Sequence, residues 1–511
     1  MIDICLRFYD SKKQKHKFMN LRVLALLIGT FGLLFTACDK DDSSPSFDAP
    51  KVTAPSGVTT VEASATGQTV SFTVSIDQDL TATYAAVGTG VTISNATGSV
   101  SGSTVTINYD AGSSTGAASI TLTVTDSEGQ SAAGTAVFNI TKVSTVRLTT
   151  NISADATWTA DKVYVLGGRI AVLDGVTLTI EPGTVIKGEA GTGANATALL
   201  VARGGKLMAE GTADAPIIFT SVADEITPDD IAAGNFASPN LDPDINGLWG
   251  GLIVLGKAKI SASNDNGDVS EVQIEGIPTS DPNGLYGGDN DADNSGVLKY
   301  ISIRHGGTNI GEGNEINGLT LGGVGSGTVI ENIEIVSNQD DGIEWFGGTV
   351  NVKNIVVWNV GDDGIDTDQA YAGTIDNFVV ITPAGSCFEL DGPEGTYTAR
   401  HTIQNGTVIA VTAERKIGGS LIDVDNSTPV DMKNIHFVAP LSGQGLSVTE
   451  DEVANSTFEN VTFDIDAAEL STLMEQGGAI PAGISAGGSS QANTAVMSWT
   501  WAAQAGQLSG L

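Results

Sequence analysis

A short motif recurs along the second half of the chain: asparagine or tyrosine, followed by two or three mostly apolar, strand-forming residues. The copies are YISI at 300, NIEI at 332, NIVV at 354, NFVV at 377, NGTV at 405, NIHF at 434 and NVTF at 460, spaced 22 to 32 residues apart. Repeats of this length, made of short strands and glycine turns, are typical of a β-solenoid. We expect each asparagine to turn inward and to hydrogen-bond the turn backbone of the neighbouring coil.

The preceding segment, 160–277, has the same sequence pattern, in which Thr, Val and Ile alternate between glycine turns, as in VTLTIEPGTVIKG. We therefore predict a right-handed parallel β-helix over residues 146–511, with the handedness taken from the preference of β-crossover connections. The stretch SWTWAAQAGQLSGL near the C-terminus contains two tryptophans and good helix formers. We expect this stretch to cap the open end of the stack, where strand edges need cover.

Residues 51–142 have a different pattern, of short alternating strands such as TVSFTVSI and ASITLTVT separated by polar turns such as DSEGQ. Many short strands at this spacing are typical of a β-sandwich. We predict an immunoglobulin-like domain that acts as a spacer. The whole chain is therefore predicted to be all-β.

The first 38 residues read as a targeting segment. A basic run precedes the apolar stretch LRVLALLIGTFGLLF, which ends at FTACDKDD; this is a signal-peptide layout, and the run is short for a membrane span. The segment resembles a bacterial lipoprotein signal, with translation from Met1 or Met19 and lipidation at Cys38. The polar linker 39–50 begins with a Lys-Asp-Asp stretch similar to the surface-export signal of Gram-negative lipoproteins. A lipid-anchored protein on the outer face of the outer membrane is expected, and a secreted protein without lipid is the alternative.

The charge balance excludes several partners. The chain has 24 Lys and Arg against 60 Asp and Glu, a net charge of −36, so it should repel nucleic acid and anionic lipid. Cations and neutral glycans are the expected partners, membrane contact is expected only through the lipid, and the protein is expected to be a monomer. Three cysteines, Cys5, Cys38 and Cys387, make no disulfide framework.

Two acidic stretches, DDGIEWFGG at 340–348 and DDGIDTDQA at 362–370, lie 22 positions apart. On stacked coils, Ile343, Ile365 and Phe388 should align and point inward, at about 4.8 Å from coil to coil. Side chains alternate along a strand, so the residues that follow should form an outward column of carboxylates. These candidate catalytic residues are Glu344, Asp366 and Glu389.

The same alignment places two flanking pairs of aspartates at a corner of the helix. Clustered carboxylates can bind Ca²⁺, share protons or stay solvated, and these three options remain open. A further candidate loop, GGDNDADNSG at 287–296, offers alternating aspartates to a cation, with a solvated turn as the alternative. The candidate metal ligands are Asp340, Asp341, Asp362, Asp363, Asp289, Asp291 and Asp293.

Three functions fit this acidic face. Aromatic and carboxylate groups together suit sugars, so Phe346, Tyr371, Asp368 and Asp391 predict extracellular binding, of a glycan by preference. The GDDGID stretch resembles the aspartate pair of polygalacturonase-type hydrolases, although the Gly-His-Gly of that family is absent here, so a polysaccharide hydrolase or lyase is the alternative. The third possible function is that of a structural adhesin or surface-layer component.

Residues 160–505 resemble a family of secreted or lipid-anchored β-helix proteins of Gram-negative bacteria. The stretches that carry the resemblance include ARGGKLMAEGTADAPIIFTS, WGGLIVLGKA, YGGDNDADNSGVLKYISIRHGG and the TWAAQAG tail. The resemblance implies an exported β-helix and assigns no activity. Some members carry transporter labels, which this chain does not support because it has no second apolar segment long enough to span a membrane.

Overall fold

A computed structural model describes residues 47–77, 79–141, 144–310, 316–413, 415–441, 443–449 and 453–511. The predicted signal peptide, its Cys38 and most of the predicted linker lie outside these residues. Within the described ranges, no helix combines the length and the apolar character that crossing a membrane requires.

The N-terminal strands form a β-sandwich of two sheets. The strands are β1 (Lys51–Thr53), β2 (Val58–Glu62), β3 (Gln68–Ser75), β4 (Ala82–Thr89), β5 (Val91–Ile93), β6 (Thr97–Ser99), β7 (Thr104–Ala111), β8 (Gly116–Asp126) and β9 (Ser131–Thr141). One sheet has the order β1-β3-β7-β5 and the other β2-β9-β8-β4-β6. Alternate residues such as Phe72, Ile107 and Leu122 are buried between them, as period-two patterning requires. The immunoglobulin-like identity of this sandwich stays a prediction.

The rest of the chain is a parallel β-helix with little α-helix. Its first strands are β10 (Ser144–Leu148), β11 (Ala156–Trp158), β12 (Lys162–Leu166), β13 (Arg169–Val172), β14 (Thr177–Ile180), β15 (Val185–Gly188), β16 (Ala198–Val201), β17 (Lys206–Glu210), β18 (Ile217–Ser221), β19 (Leu252–Leu255), β20 (Ala262–Asn264), β21 (Gly267–Val269), β22 (Val272–Gln273) and β23 (Leu285–Tyr286), with helix α1 (Pro228–Ala232) after β18. The later strands are β24 (Gly296–Arg304), β25 (Leu319–Gly322), β26 (Val329–Val336), β27 (Ile343–Phe346), β28 (Val352–Trp358), β29 (Ile365–Asp368), β30 (Thr374–Ile381), β31 (Phe388–Leu390), β32 (His401–Ile409), β33 (Ile422–Val424), β34 (Val430–Val438), β35 (Leu446–Ser447), β36 (Thr457–Phe463) and β37 (Ile484–Ala486), followed by helix α2 (Trp501–Gln504).

Two parallel sheets form the walls of the helix. The long sheet has the order β10-β12-β15-β18-β24-β26-β28-β30-β32-β34-β36-β37, and the second sheet has the order β13-β16-β19-β25-β27-β29-β31-β33-β35. Isoleucine, valine and phenylalanine from both sheets fill the space between them, including Ile343, Ile365 and Phe388 at 0% exposure. The predicted all-β architecture with a parallel β-helix is confirmed.

The recurrent asparagines have a different role from the predicted one. Each occupies the left-handed region within a strand of the long sheet, for example Asn332 with φ 60° and Asn377 with φ 58°, a conformation that asparagine tolerates better than most residues. Most of their side chains bond each other: Nδ2 of Asn354 donates to Asn332 Oδ1 at 3.0 Å, and Nδ2 of Asn377 donates to Asn354 Oδ1 at 2.7 Å. Asn405 instead donates to Asp376 Oδ1 at 2.6 Å. The motif therefore marks a bend stabilised by an asparagine ladder.

The C-terminal segment does not cap the end of the stack. The last strand at that end of the long sheet is β37, and the chain then turns back along the outer face of the sheet. Trp501 packs with Val356 and Trp358 there, and Trp499 packs with Phe236. Apolar side chains on the outer face of the long sheet explain this position, because they would otherwise meet water.

Candidate functional site

The predicted column of carboxylates is present in the second sheet. Glu344 on β27 pairs in register with Asp366 on β29, and Asp366 pairs with Glu389 on β31. Glu389 pairs in turn with Asp423 on β33. Because the inward neighbours are apolar and fully buried, the four carboxylates point to the outer face of the sheet.

A second column runs beside the first, two residues further along each strand. It begins at Phe346, which pairs with Asp368. Asp391 is the next residue of this column, because its backbone N–H donates to Thr367 O at 2.8 Å. Asp425 comes after it, because its backbone N–H donates to Leu390 O at 3.0 Å. We call the two columns together the acidic strip, defined by Glu344, Asp366, Asp368, Glu389, Asp391, Asp423 and Asp425.

Two members of the strip were missed in the sequence. IDVD at 422–425 repeats the pattern of IDTD at 365–368 and FELD at 388–391. The signal was therefore available, but the interval from Glu389 to Asp423 is longer than the interval between the earlier copies. An insertion between β31 and β33 hides the repeat without changing the register of the strands.

The strip has a closed end and an open end. Glu344 and Asp366 are each only 7% exposed, whereas Glu389, Asp391 and Asp423 are half-buried and Asp425 is exposed. Of the three candidate catalytic residues, only Glu389 is therefore within reach of a large substrate. This corrects the expectation that the whole column faces solvent.

A long insertion covers the closed end. Residues between β19 and β24 pack on the outer face of the second sheet, where Tyr286 and Ile260 bury Phe346. The Tyr286 hydroxyl also donates to Gln369 Oε1 at 2.9 Å, which ties the insertion to the next coil. Phe346, at 7% exposure, is not available for stacking on a sugar.

Tyr371 is likewise unsuited to the predicted ligand-binding role. Its side chain is 1% exposed and belongs to the core between the sheets. The hydroxyl donates to Val350 O at 2.7 Å, and the ring contacts Trp345 and His401. Of the predicted ligand-binding residues, only Asp368 and Asp391 lie on the strip with partial exposure.

Three buried carboxylates meet at the closed end. One oxygen from each of Asp341, Glu344 and Asp366 lies within 4.8 Å of the others. Two unit charges at that separation repel by about 3 kcal/mol at an effective dielectric constant near 20. Burial, followed by repulsion from neighbouring carboxylates, raises the pKa of each of the three groups well above its usual range. We refer to this group as the buried triad.

The other predicted metal ligands divide into two cases. Asp340, Asp341 and Asp362 also bring oxygens within 4.8 Å of one another, and Asp363 lies beside them, with its backbone N–H donating to Asp341 Oδ1 at 2.8 Å. These positions are clustered, as the sequence predicted.

The acidic loop at 287–296 is not organised as predicted. Asp289, Asp291 and Asp293 form no such cluster within the described part of the chain. Asp291 instead pairs with Lys259 at 3.6 Å, and the buried Asp293 accepts a hydrogen bond from Ser295 Oγ at 3.3 Å. The chain turns at Asp291 and Ala292, where the backbone N–H of Asp293 donates to Asn290 O at 2.9 Å, so the three carboxylates do not lie in line on one extended strand.

The half-buried end of the strip contains carboxyl groups that hold protons near neutral pH. Burial, with added repulsion from Glu394, raises the pKa of Asp368 to about 7. Burial, with repulsion from Glu389, raises the pKa of Asp391 to about 6. Burial and a hydrogen bond with Glu389 raise the pKa of Asp363 to about 9, so Asp363 is protonated at neutral pH beside Glu389.

Basic residues do not neutralise the strip. Across the described ranges, no Lys or Arg forms an ion pair with any of its seven carboxylates. The strip can therefore bind cations, hold protons, or offer hydrogen-bond acceptors to hydroxyl-rich ligands.

A comparison with protein families agrees with this architecture. The family described as pectate-lyase like beta helix domain matches residues 150–234 and 236–504. No curated protein matches the chain. Among solved structures, the family 28 exopolygalacturonase of Yersinia enterocolitica is similar at 10% identity, with 81% of this chain and 86% of that chain covered and a TM-score of 0.20.

Proposed function

Because this chain belongs to the family of pectate-lyase like beta helix domains, we propose that it binds a polysaccharide at the open end of the acidic strip and hydrolyses it. The observation that carries this proposal is the pair formed by Glu389 and Asp391. The two carboxyl groups lie on one outer face, partly exposed, with further carboxylates in register on both neighbouring coils.

The spacing of this pair suits hydrolysis. Residues two positions apart along a strand are separated by about 6.5 Å. Inverting glycosidases hold their two carboxyl groups about 6.5–9.5 Å apart, which leaves room for a water molecule between the base and the sugar. The backbone spacing of Glu389 and Asp391 is therefore at the lower end of the range that a direct displacement by water needs.

The surroundings assign different roles to the two groups. Asp391, with a pKa of about 6, can hold a proton in weakly acidic solution and give it to the leaving oxygen. Asp363, which is protonated at neutral pH, shares a hydrogen bond with Glu389, the other carboxyl group of the pair. Glu389 is then the base that activates water, and Asp391 is the general acid.

A lyase mechanism is less well supported, because such a reaction removes a proton from the sugar ring with a base that is commonly Arg or Lys. No described Arg or Lys pairs with the strip, and Arg415 donates to the backbone oxygens of Asn359 and Val360. Binding of a glycan without cleavage is the second candidate, because the seven carboxylates alone can accept hydrogen bonds from hydroxyl groups.

Hydrolysis is tested by incubating the full chain with a panel of neutral and acidic polysaccharides and measuring new reducing ends between pH 4 and 9. We expect the rate to fall as pH rises through about 6, because Asp391 must be protonated and its pKa is raised to about 6. The Asp391→Asn variant should lose most of the activity at low pH, and its remaining rate should no longer fall as pH rises through about 6. The control variant Asp464→Asn, at an exposed aspartate that directly follows β36 of the long sheet, should keep both.

Two outcomes would contradict the proposal. Release of unsaturated products that absorb at 235 nm would indicate elimination in place of hydrolysis. Retention of a polysaccharide on an affinity gel with no new reducing ends, on every polysaccharide in the panel, would replace hydrolysis by binding alone.

We further propose that the protein is attached to the outer membrane by lipid on Cys38 and faces outward, which would give it access to extracellular glycan. The sequence layout around FTACDKDD supports this attachment. Cys38→Ala should move the protein from the membrane fraction to the soluble fraction after cell lysis. Unchanged membrane association of the variant would argue against the lipid anchor.

A further inference from the structure

We propose that the buried triad of Asp341, Glu344 and Asp366 binds one Ca²⁺ ion, which fastens successive coils together at the closed end of the acidic strip. This site lies apart from the open end, where we place polysaccharide cleavage, and it does not depend on that activity.

The geometry of the triad meets the first requirement of a cation site. Each residue can supply an oxygen within 4.8 Å of the other two. Glu344 lies on β27, Asp366 lies on β29, and Asp341 precedes β27 in the turn whose carbonyl accepts from Gly318 N at 3.0 Å. An ion at this position therefore bridges neighbouring coils of the stack.

Buried oxygens without partners provide the second, independent observation. Asp366 Oδ1 is buried and accepts no hydrogen bond, and neither does Oδ1 of Asn317. Asn317 is 1% exposed, and its Nδ2 donates to Glu344 Oε2. A half-turn of this amide would direct its free oxygen towards the triad. Buried acceptors rarely lack partners, so the two oxygens point to a missing positive group.

The ligand set selects the ion. Carboxylate and amide oxygens suit hard cations, whereas zinc sites usually include histidine or cysteine. Ca²⁺ accepts six to eight oxygens in a flexible arrangement, and three carboxylates with one amide can supply most of them. Mg²⁺ usually keeps several water molecules in a strict octahedron, which a group as buried as this one accommodates poorly. Ca²⁺ is therefore the ion that these residues fit.

The neighbouring cluster of Asp340, Asp341 and Asp362 shares Asp341 with the triad. Asp362 is exposed and Asp340 is half-buried, so water can solvate these two carboxylates. The triad has no such alternative, because all three of its carboxylates are at most 7% exposed. For this reason the inference assigns the ion to the triad.

The test compares thermal unfolding of the full chain in Ca²⁺ and in chelator at pH 8, together with terbium luminescence as a direct reading of binding. We expect Ca²⁺ to raise the Tm by roughly 5 °C or more and Mg²⁺ to raise it much less. Asp366→Asn and Glu344→Gln should each abolish the Ca²⁺-dependent increase. In chelator both variants should unfold at or above the wild-type temperature, because each removes a buried like charge, and this result would separate loss of the site from failure to fold.

Asp291→Asn is the matched control, since Asp291 belongs to the acidic loop that does not converge, and it should keep the full Ca²⁺ increase. Equal Tm values in Ca²⁺ and chelator would overturn the inference in favour of shared protons alone. Loss of the increase in Asp362→Asn but not in Asp366→Asn would also overturn it, because the ion would then lie in the more exposed cluster.

Discussion

Glu389→Gln should lower the rate of polysaccharide hydrolysis by about 10²–10⁴-fold, the usual contribution of a general base. Glutamine keeps the shape of the side chain but cannot take a proton from water. The loss should fall on kcat more than on KM, because the amide can still accept hydrogen bonds from a bound sugar. The measurement is the initial rate of reducing-end release at pH 5 to 6, with substrate both below and above KM.

We do not expect the lower rate of Glu389→Gln to result from unfolding of the variant. Glu389 repels the nearby Asp391 and Asp423 carboxylates, so removing its charge should leave the Tm unchanged or slightly higher. Glu459→Gln is the matched control, because Glu459 is exposed on β36 of the other sheet. If Glu389→Gln retains wild-type kcat, Glu389 is not the base and the assignment of roles on the strip is wrong.

Glu334→Gln should reduce the free energy of unfolding by about 3–5 kcal/mol, the usual effect of breaking a buried ion pair on one side. Glu334 is fully buried and faces Arg304, which is 1% exposed, with Nη2 and Oε2 3.7 Å apart. Ser302 Oγ donates to Glu334 Oε2 at 2.6 Å, and the Ala502 backbone N–H donates to Oε1 at 2.9 Å. The neutral variant would leave the buried Arg304 charge without the carboxylate that pairs with it.

The same substitution should loosen the C-terminal segment. Glu334 accepts directly from the backbone of helix α2, and the Arg304 guanidinium lies 5.0 Å from the centre of the Trp501 ring. Urea unfolding of the full chain measures the stability, and brief chymotrypsin treatment with mass spectrometry measures cleavage near Trp499 and Trp501. Both the midpoint and the resistance to cleavage should fall.

Glu331→Gln is the matched control for this second prediction. Glu331 lies three residues away on the same strand and bridges Lys299 and Lys353 at 2.8 and 2.7 Å, on the surface of the sheet. Surface pairs of this kind contribute about 1 kcal/mol or less. Equal destabilisation by the two variants would mean that burial of the Glu334 pair has no special importance.

Repetition in the sequence was sufficient to predict which residues become neighbours. The two Asp-Asp-Gly-Ile segments recur after 22 residues, and a parallel stack converts that interval into direct pairing of Glu344 with Asp366. The asparagine series predicted the coils correctly but not the role of asparagine. A left-handed backbone is a local property of the bend, and the motif alone does not reveal it.

Whether an outward-facing residue meets water could not be predicted in the same way. Phe346 and Glu344 face outward as expected, yet an insertion covers them, and its residue Tyr286 precedes Phe346 by 60 positions in the chain. The contact between Ala502 and Glu334 spans 168 residues. Such contacts depend on how loops and termini fold back on the β-helix, and the repeat pattern of the sequence does not predict them.

The sequence by itself determined the stacking, the register and the presence of a line of carboxylates, because a fixed repeat in a parallel coil places equivalent residues on one face. The tertiary structure decided which part of that line is buried and which part is open. The reason is desolvation. A carboxylate that faces water stays charged, whereas the equivalent carboxylate on the next coil needs a proton or a cation if a distant segment of the chain covers it.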